Sequence, residues 1–510
     1  MIEQNLQQFV NDASNCKTIP MSRTIFADMT TPIQLFQLFD DRAAFILESH
    51  DEKSIWSNYS FIGIDPTHVL IEHNGKFSFE TIDGQQIYES DRMQDIWNKC
   101  HDHFQLSSNI PDIPFPGGAV GYFTFEAYSL YEPKVSRDDT EGSKVCLLFC
   151  ETILAFDHEK EQLTIIYYKQ VGSEPKVDFY HGSKHLENLI EKIKHGSPNT
   201  PSIFQSESSV NEDLFLNVQS NETKHSFIEK VNKVKKYIVA GDVFQTVLSQ
   251  RFSIPVKSSG IDLYRVLRKV NPSPYLYYLR LGSEEIIGSS PERLVKIEAC
   301  GELEIHPIAG TRPRGKSKEE DEALALDLKN DEKEKAEHLM LVDLARNDIG
   351  KVSKPGTVQV KDFMTMTYFS HVMHLITKVY GQMSEKVSPF EALFSSHPAG
   401  TVSGAPKVRA VEIIQELEEE KRGVYAGAIA YCGWNGAIDS CIAIRTMILK
   451  DGVVSIQAGA GIVHDSNPEA EYEETKNKAK ALLYAVKLAE KRFEQGEADE
   501  NGKCVKELTK

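Results

Sequence analysis

Two pairs of glutamates, each spaced three residues apart, mark places where the chain could hold a metal ion. Glu334 and Glu337 precede an apolar run at 339–344, and Glu471 and Glu474 precede a stretch rich in alanine and leucine. Ligand sets made only of carboxylate oxygens favour Mg²⁺, which commonly bridges to an anionic substrate. The alternative is that these are solvated first-turn glutamates, which the helix dipole favours. We predict the magnesium site, because the two pairs occur together and alongside the motifs described below.

The second pair is predicted to lie near the start of a helix, with Asn467 as its N-cap and Pro468 as its first residue. Eleven residues make almost three helical turns. Because Glu471 and Glu474 each precede a member of one apolar stripe by this distance, both carboxylates are predicted to face the core. The stripe consists of Ala481, Leu482, Ala485, Val486 and Ala489.

The first pair is predicted to enter a buried region as well. The run at 339–344 is apolar at every position except Asp343, which is unusual for a surface helix. Burying bare carboxylates is costly, so carboxylates that converge in such surroundings would need a cation.

Composition excludes several classes of partner. The 510 residues contain 57 Lys and Arg against 75 Asp and Glu, a formal net charge of -18, without a basic patch. Nucleic acid is therefore not expected as a partner.

No apolar run approaches the roughly 20 residues of a membrane span, and the N-terminus lacks the features of a signal peptide. Eight cysteines without a Cys-x-x-Cys pair are predicted to be reduced, and the protein is predicted to be cytoplasmic.

Turn signals divide the chain. The Asn74-Gly75 pair between the runs 68–73 and 77–82 predicts a β-hairpin, and the first part of the chain is predicted to be rich in antiparallel sheet. The stretch 196–221 is dense in Ser, Pro, Asn and Thr and is the predicted linker. The predicted organisation is an N-terminal lobe at 1–195, this linker, a second domain at 222–492 and a charged flexible tail at 493–510.

A three-stranded meander is predicted near the C-terminus, at 425–433, 440–449 and 453–457. Arg445 would lie on the small-residue face of the middle strand and point into a pocket. The segment 458–461, Ala-Gly-Ala-Gly, is predicted to be a turn whose amides approach an anion closely. Together they could bind a carboxylate; the alternative is an arginine at a sheet rim followed by an ordinary glycine turn.

One segment, Pro-Ile-Ala-Gly-Thr-Arg-Pro-Arg-Gly at 307–315, resembles the chorismate-utilising enzymes. Segments at 241–245, 341–348, 397–407 and 457–461 agree with it in order and spacing, and together they are similar to component I, the large subunit, of anthranilate synthases over roughly 22–492. This resemblance implies a two-lobed α+β fold whose antiparallel sheets pack as a sandwich flanked by helices. Independently of the family, Gly310-Thr311 is predicted to be a turn with exposed amides, and Arg312 and Arg314 give positive charge that suits a dianion.

The resemblance implies a reaction in which chorismate and ammonia give anthranilate and pyruvate, the first committed step towards L-tryptophan. It implies that Glu337 and Glu474 ligate Mg²⁺, supported by Glu334 and Glu471.

Candidate catalytic residues follow from the same resemblance. Glu292 matches the general acid near C4, for which burial should raise the pKa, and His374 matches the histidine of pyruvate elimination. Thr401 is a further candidate near the ring. Without the resemblance, Glu292 would be interpreted as a glutamate in a turn, His374 as a buried core histidine and Thr401 as part of a strand-to-helix turn. The implied substrate contacts are Gly310, Thr311, Tyr425, Arg445, Gly459, Ala460, Gly461 and Lys478.

Two positions distinguish the relatives. Aminodeoxychorismate synthases, the runner-up interpretation, carry Lys where this chain has Ala309. Isochorismate and salicylate synthases carry a Lys base where it has Gln245, an amide that cannot take a proton from water. Direct attack by ammonia is therefore expected.

The resemblance also implies partners. The chain lacks the Gly-x-Cys-x-Gly turn of a glutaminase, so a separate glutamine amidotransferase subunit, component II, is expected to supply ammonia. Feedback inhibition by L-tryptophan is implied by a pocket whose residues match Glu48, Ser49, Asn271, Pro272, Pro274, Tyr275 and Leu276. Without the resemblance, these residues would be interpreted as a strand end and an exposed turn. For the protein as a whole, the alternative to an enzyme is a non-catalytic, Mg²⁺-dependent amino-acid sensor.

Overall fold

The computed structural model describes residues 5–49, 58–136, 142–197, 213–368 and 372–507, with side chains as far as residue 491. The elements before the predicted linker are α1 Leu6–Asp12, β1 Thr18–Phe26, α2 Pro32–Leu38, β2 Ala43–Glu48, β3 Tyr59–His73, β4 Lys76–Thr81, β5 Gln86–Ser90, α3 Met93–Phe104, β6 Gly118–Phe123, β7 Val145–Asp157, β8 Gln162–Gln170 and α4 Pro175–His195.

The following elements are β9 Gln219–Ser220, α5 Lys224–Ala240, β10 Gln245–Pro255, α6 Gly260–Val270, β11 Tyr275–Leu281, β12 Glu284–Ser290, β13 Arg293–Ile297, β14 Glu302–Ile305, β15 Ile308–Pro313, α7 Lys318–Asn330, α8 Glu332–Gly350, β16 Gln359–Tyr368 and β17 Val372–Gln382. The chain ends with α9 Pro389–Ser396, β18 Gly404–Ala405, α10 Lys407–Leu417, β19 Ala428–Gly433, β20 Ile438–Ile442, β21 Thr446–Lys450, β22 Val453–Ile462 and α11 Pro468–Glu507.

Local signals explain several of these boundaries. The predicted hairpin is present, with Asn74 and Gly75 both at positive φ between β3 and β4. Helix α5 ends at Gly241, whose φ of 85° continues the chain in the left-handed conformation that glycine tolerates best. Helix α11 begins as predicted, because the Asn467 side chain accepts hydrogen bonds from the amides of Glu469 and Ala470. Its backbone runs past residue 492, where a tail was predicted to begin.

The strands form two antiparallel layers that share β7. One layer runs in the order β1, β8, β7, β3, β2, β11, β12, β21, β22, β10. The other runs β7, β6, β19, β20, β13, β14, β17, β16. This arrangement confirms the predicted α+β class with antiparallel sheets.

Apolar packing crosses the predicted linker. Phe36 on α2 packs on Tyr278 of β11 with ring centroids 5.4 Å apart, and Phe115 packs on Tyr431 of β19 at 4.8 Å. Strand β2 pairs with β11 and β6 pairs with β19, so the two halves also exchange hydrogen bonds. Most of the linker, 198–212, lies outside the described residues, and the division at 195 and 222 stays a prediction.

Two further observations bear on the sequence analysis. Within the described part of the chain, no helix is both long and apolar enough to cross a bilayer. Cysteines 16, 100, 146, 150, 300, 432 and 441 are free. Burial raises the pKa of the Cys146 thiol to about 12, as expected for a residue that packs as a small apolar side chain.

Candidate active site

Two neighbouring chain segments pass from one sheet layer to the other at the same place. Strands β12 and β13 are interrupted at Pro291-Glu292, and β21 and β20 are interrupted between Ile442 and Thr446. On one side of the break Gly288 pairs with Thr446, and on the other side Arg293 pairs with Cys441. The two interruptions therefore face each other and form a corner between the layers.

Backbone hydrogen bonds hold this corner. The Ser289 amide donates to the Arg445 carbonyl at 3.1 Å, and the Ile442 amide donates to the Glu292 carbonyl at 3.0 Å. Side chains at a strand break are released from the alternation of a continuous strand. The candidate acid Glu292 and the candidate anion-binding residue Arg445 both occupy such positions.

The prediction of one continuous strand at 440–449 is wrong. Arg445 has a φ of 50°, in the left-handed region, and the Ile444 amide donates to the Ile442 carbonyl, so the chain turns here instead of continuing as a strand. The face assignment made for Arg445 therefore does not apply. The Arg445 side chain keeps a solvent-exposed surface and lies near Glu292: desolvation lowers its pKa, and the Glu292 carboxylate acts to raise it.

Glu292 has the environment that a general acid needs. The Thr401 hydroxyl donates a hydrogen bond of 3.0 Å to its carboxyl. Desolvation raises the pKa of Glu292 to about 7, against the opposing effects of Thr401, Arg445 and Lys478. A carboxyl with this pKa is substantially protonated near neutral pH and can donate a proton to a leaving group.

The predicted turn at Gly310-Thr311 is instead a bulge within strand β15. The register with β17 shifts between Ala309 and Thr311, and Gly310 has a φ of 72°. A Cβ at Gly310 would lie only 2.7 Å from Leu328 Cδ1, so glycine is required by space as well as by conformation.

His374 lies on β17 opposite this bulge. Its Nδ1 lies 2.8 Å from the Gly310 carbonyl oxygen and 3.2 Å from the Thr311 hydroxyl. The contact with a carbonyl assigns the proton to Nδ1. Burial lowers the pKa of His374, so the ring is neutral at pH 7 and can accept a proton.

Arg312 and Arg314 do not provide the free positive charge expected from the sequence. Arg312 is bound by Asp327 at 2.7 Å and Asp331 at 2.9 Å, with Glu334 at 3.5 Å. Arg314 is bound by Asp321. The prediction that they bind a dianion is wrong, and their role in the fold is to fasten β15 to α7 and α8.

The four paired glutamates come from α8 and α11, as predicted, but they do not face the core. Glu337 is exposed, and the Glu474 side chain is 47% exposed and bound to Lys478 at 2.8 Å. Leu339, within the run predicted to be buried, is 50% exposed. The helical stripe assigned the correct side of α11 to Leu482 and Ala485, but side chains of its first turns, such as Glu474, extend beyond the core into solvent.

These carboxylates nevertheless influence one another. Desolvation raises the pKa of Glu337, and the neighbouring Glu334 and Glu474 raise it further. Desolvation also raises the pKa of Glu471, with a further contribution from Glu474. Mutual repulsion across two helices is what a divalent cation would relieve, so the donor set fits Mg²⁺. Among the described residues no three His, Cys, Asp or Glu side chains are already arranged as a metal site, so Glu474 and Glu337 would have to turn towards the ion.

The segment 458–461 is not the predicted turn but the end of strand β22, paired with β10. Its small residues leave room for neighbouring side chains. A Cβ at Gly461 would lie 2.5 Å from the Gln245 amide nitrogen, and one at Gly459 would lie 2.8 Å from the Tyr425 hydroxyl. Lys478 donates to the Gly459 carbonyl at 2.9 Å. Within the described residues, β22 pairs with β21 only as far as Ile456, whereas its pairing with β10 continues to Ile462.

Ala460 and Tyr425 complete the set of predicted contacts. Ala460 is buried and pairs with Leu248, so its side chain is part of the scaffold. Tyr425 is buried beside the strand end. The predicted residues form two connected groups. In one, Thr401, Arg445 and Lys478 each interact with Glu292. In the other, Gly310 and Thr311 both contact His374.

A separate cavity of about 430 Å³ lies between the layers. The predicted inhibitor-pocket residues in its wall are Glu48, Ser49, Pro274, Tyr275 and Leu276. Asn271 and Pro272 lie in the loop before β11, where Asn271 accepts a hydrogen bond from Ser289, rather than in the wall. The Glu48 carboxylate, predicted to be available for an amino group, already binds Tyr264 at 2.6 Å and Arg268 at 3.0 Å.

Sequence reasoning missed a buried arginine behind the site. Arg422 donates to the Val402 carbonyl at 2.7 Å and to the Val247 carbonyl at 2.8 Å, and it forms an ion pair with Glu418 at 2.7 Å. It thereby joins the turn that carries Thr401 to the strand that begins at Gln245. Its position just before Tyr425 was the only signal in the sequence.

Comparisons with known proteins identify the family of this chain. Residues 43–484 match the family described as chorismate binding enzyme. Anthranilate synthase component 1 of Bacillus subtilis (strain 168) is 48% identical over 508 residues, 98% of each chain. The corresponding protein of Geobacillus stearothermophilus is 46% identical over 96% of this chain and 98% of its own.

Solved structures are similar as well. The crystal structure of anthranilate synthase component I from Streptococcus pneumoniae TIGR4 is 39% identical, with a TM-score of 0.73, over 85% of this chain and 94% of its own. The menaquinone-specific isochorismate synthase of Escherichia coli superposes with a TM-score of 0.64 at 18% identity, over 94% of this chain and 98% of its own, which supports the fold alone.

Proposed function

This chain belongs to the chorismate binding enzymes and, within them, to the anthranilate synthase component 1 family, and from that premise we propose that it converts chorismate and ammonia into anthranilate and pyruvate. The observation that carries the proposal is the half-buried side chain of Glu292, whose carboxyl accepts a hydrogen bond from Thr401 and lies near Arg445 at the corner between the sheet layers. An acid and an anion-binding cation at one point suit a substrate that must lose a hydroxyl while its carboxylates are held.

Arg445 binds the enolpyruvyl carboxylate. Its planar guanidinium can bind two carboxylate oxygens at once. Lys478, held at the end of β22, supplies a second positive charge to the substrate. The bulge at Gly310 and Thr311 brings backbone close to the ring carboxylate.

Glu292 then acts at C4. Its proton passes to the C4 hydroxyl, the C4–O bond breaks and water leaves, while ammonia forms a bond to C2. Gln245 at the start of β10 cannot remove a proton from water, and Ala309 offers no amine, so neither water nor a lysine competes with ammonia.

His374 serves the second step. Held neutral by burial, it can take the proton from C2 as the C3–O bond breaks and the ring becomes aromatic; the enolpyruvate that leaves becomes pyruvate when its methylene carbon takes up a proton. Its bond to the Gly310 carbonyl fixes the ring while leaving the opposite nitrogen directed away from that carbonyl.

Glu337 and Glu474, with Glu334 and Glu471 beside them, would hold Mg²⁺ between α8 and α11. Bound there, the ion would neutralise the ring carboxylate of the substrate.

The name of the relatives, component 1, supports a separate component II that supplies ammonia from glutamine. L-Tryptophan is the proposed inhibitor, bound in the 430 Å³ cavity. That volume suits a small aromatic amino acid, with Tyr275 and Pro274 as walls for a ring and Ser49 as a polar partner.

The test is an assay of the purified chain with chorismate, Mg²⁺ and an ammonium salt, followed by anthranilate fluorescence. Anthranilate from the wild-type chain, none after EDTA treatment and none from glutamine alone are the expected results. A 4-amino product would instead support an aminodeoxychorismate synthase. Absence of any product, with tryptophan binding retained, would support the sensor.

A further inference from the structure

A small side cavity adjoins Glu292 on the face towards α8. Its volume is about 40 Å³. One side of its wall is formed by α8, through Leu341, Leu344, Ala345 and Asp348. The rest of the wall consists of Glu292, Arg293, Leu294, Ile305, His306, Pro307, Ser396, Ala399, Gly400 and Thr401.

Two polar atoms of this wall have no hydrogen-bond partner within the described part of the chain. They are Asp348 Oδ1 and Ser396 Oγ, on side chains that are more than nine-tenths buried. The other carboxylate oxygen of Asp348 accepts from Lys407 Nζ at 2.9 Å, and Lys351 Nζ lies 3.7 Å from Oδ1. Leaving a buried charged oxygen and a buried hydroxyl without a hydrogen-bond partner is costly.

Water is the natural occupant of such a space. A cavity needs roughly 10–15 Å³ to hold one molecule, and a buried water requires two to four polar partners. Asp348 and Ser396 offer partners in one part of the wall, and Glu292 and Thr401 offer them in another. The volume is sufficient for a short chain of two or three waters between these pairs.

We infer that ordered water in this cavity connects Asp348 and Ser396 to Glu292 and returns a proton to Glu292 after each turnover. This inference rests on the proposed function, in which Glu292 gives its proton to the departing C4 hydroxyl. Glu292 is then a carboxylate and must regain one proton before the next substrate is processed. A water hydrogen-bonded to Glu292 donates that proton, and the charge passes along the waters until solvent restores it. Asp348 is a positioning residue, because it orients the waters and does not touch the substrate.

Charged groups face the relay from several elements. Arg293 is bound to Glu304 at 3.0 Å, and His306 is bound to the same carboxylate. Lys407 and Lys351 flank Asp348, and Arg445 and Lys478 act on Glu292 from the substrate side. Apart from Glu292 and Asp348, no carboxylate lines the described cavity wall.

The first test fills the cavity. Ala345→Val adds two methyl groups to the α8 face and displaces the water. We expect kcat for anthranilate formation to fall by about tenfold, with KM for chorismate within about twofold, since a general acid contributes at least this much. Ala336→Val, on the exposed side of the same helix, carries the same cost in helix propensity and should retain wild-type kcat.

The second test removes one partner of the water. Ser396→Ala is compared with Ser395→Ala, whose hydroxyl already donates to the Asp348 and Ala392 carbonyls and does not line the cavity. We expect only Ser396→Ala and Ala345→Val to lose rate, and both to regain it when a small weak acid such as imidazolium is added at high concentration. A purely structural defect would not respond to the added acid.

The outcomes separate this inference from the proposed function. A wild-type chain that makes no anthranilate overturns the proposed function. An active wild type with Ala345→Val and Ser396→Ala at wild-type kcat, or with a loss that the added acid does not repair, overturns the relay alone. A crystal structure at a resolution that defines water should contain density beside Asp348 Oδ1, and a dry cavity would also overturn the relay.

Discussion

Thr401 donates a hydrogen bond of 3.0 Å to Glu292, and this bond joins the turn before α10 to the corner between the sheet layers. A hydrogen bond to the carboxylate favours its charged form, so it lowers the pKa that desolvation raises. The two opposing effects leave Glu292 with a pKa of about 7, near the pH at which an acid and its conjugate base are both accessible.

The first prediction concerns Thr401→Val. Removing the donor should raise the pKa of Glu292, and the reaction needs the protonated form, so activity that is lost above this pKa should persist to higher pH. The pH dependence of kcat/KM will measure the shift of the basic limb. Thr401→Ser keeps the hydroxyl and should keep the wild-type limb; an unshifted limb in Thr401→Val would argue that Glu292 is not the titrating acid.

Glu292→Gln should lower kcat by roughly 10²- to 10⁴-fold, because an amide cannot donate the proton, while chorismate binding is affected much less. It should also alter stability. Because folding raises the pKa of Glu292 from 4.5 to about 7, the wild-type chain loses stability as pH rises through this window, and the glutamine variant avoids that loss. Thermal unfolding at pH 5 and pH 8 should therefore favour the variant only at pH 8.

Arg445→Lys should raise KM for chorismate by about 10- to 100-fold with a smaller change in kcat. Lysine keeps the charge but loses the planar fork that binds two carboxylate oxygens. Steady-state kinetics will distinguish the two parameters. Arg314→Lys, at an arginine fastened by Asp321 away from the corner, serves as the control and should leave KM unchanged.

Glu337→Gln and Glu474→Gln should each raise the Mg²⁺ concentration that gives half-maximal activity by about tenfold or more. The structural reason is that each removes one of the neighbouring carboxylates of α8 and α11 that repel one another. Glu332→Gln changes an exposed glutamate of α8 that is bound to Lys335, and it should leave the metal requirement unaltered. Equal effects of all three substitutions would indicate a general loss of negative charge instead of a metal site.

Ser49→Phe should abolish inhibition by L-tryptophan while leaving catalysis intact, because the ring would occupy part of the 430 Å³ cavity. Inhibition curves at fixed chorismate concentration measure this directly. If inhibition by L-tryptophan were unchanged, the inhibitor would have to bind at another site.

Much of this architecture was predictable, because its signals are local. The Asn74-Gly75 hairpin, the Asn467 cap and the Gly241 terminus each depend on a few adjacent residues, and they occur as expected. The motif residues Glu292 and Thr401 were also found in contact.

The predictions that failed concern contacts between distant parts of the chain, which the alternation or periodicity of a single segment does not encode. A period of two looks the same whether a strand continues or passes to another layer, so the break at Arg445 had no signal. Helical periodicity placed Glu474 on one side of α11 but could not reveal that nothing covers that side so near the start of the helix. The charge of Arg312 was visible, whereas its three acidic neighbours on α7 and α8 come together only in the folded chain.

The residues on either side of Glu292, Pro291 and Arg293, both line the 430 Å³ cavity, although Glu292 itself points away from it. A molecule seated in that cavity would press on the peptide units immediately before and after the proton donor. Communication between the two chambers would then pass through these two peptide units, without a long chain of intermediaries.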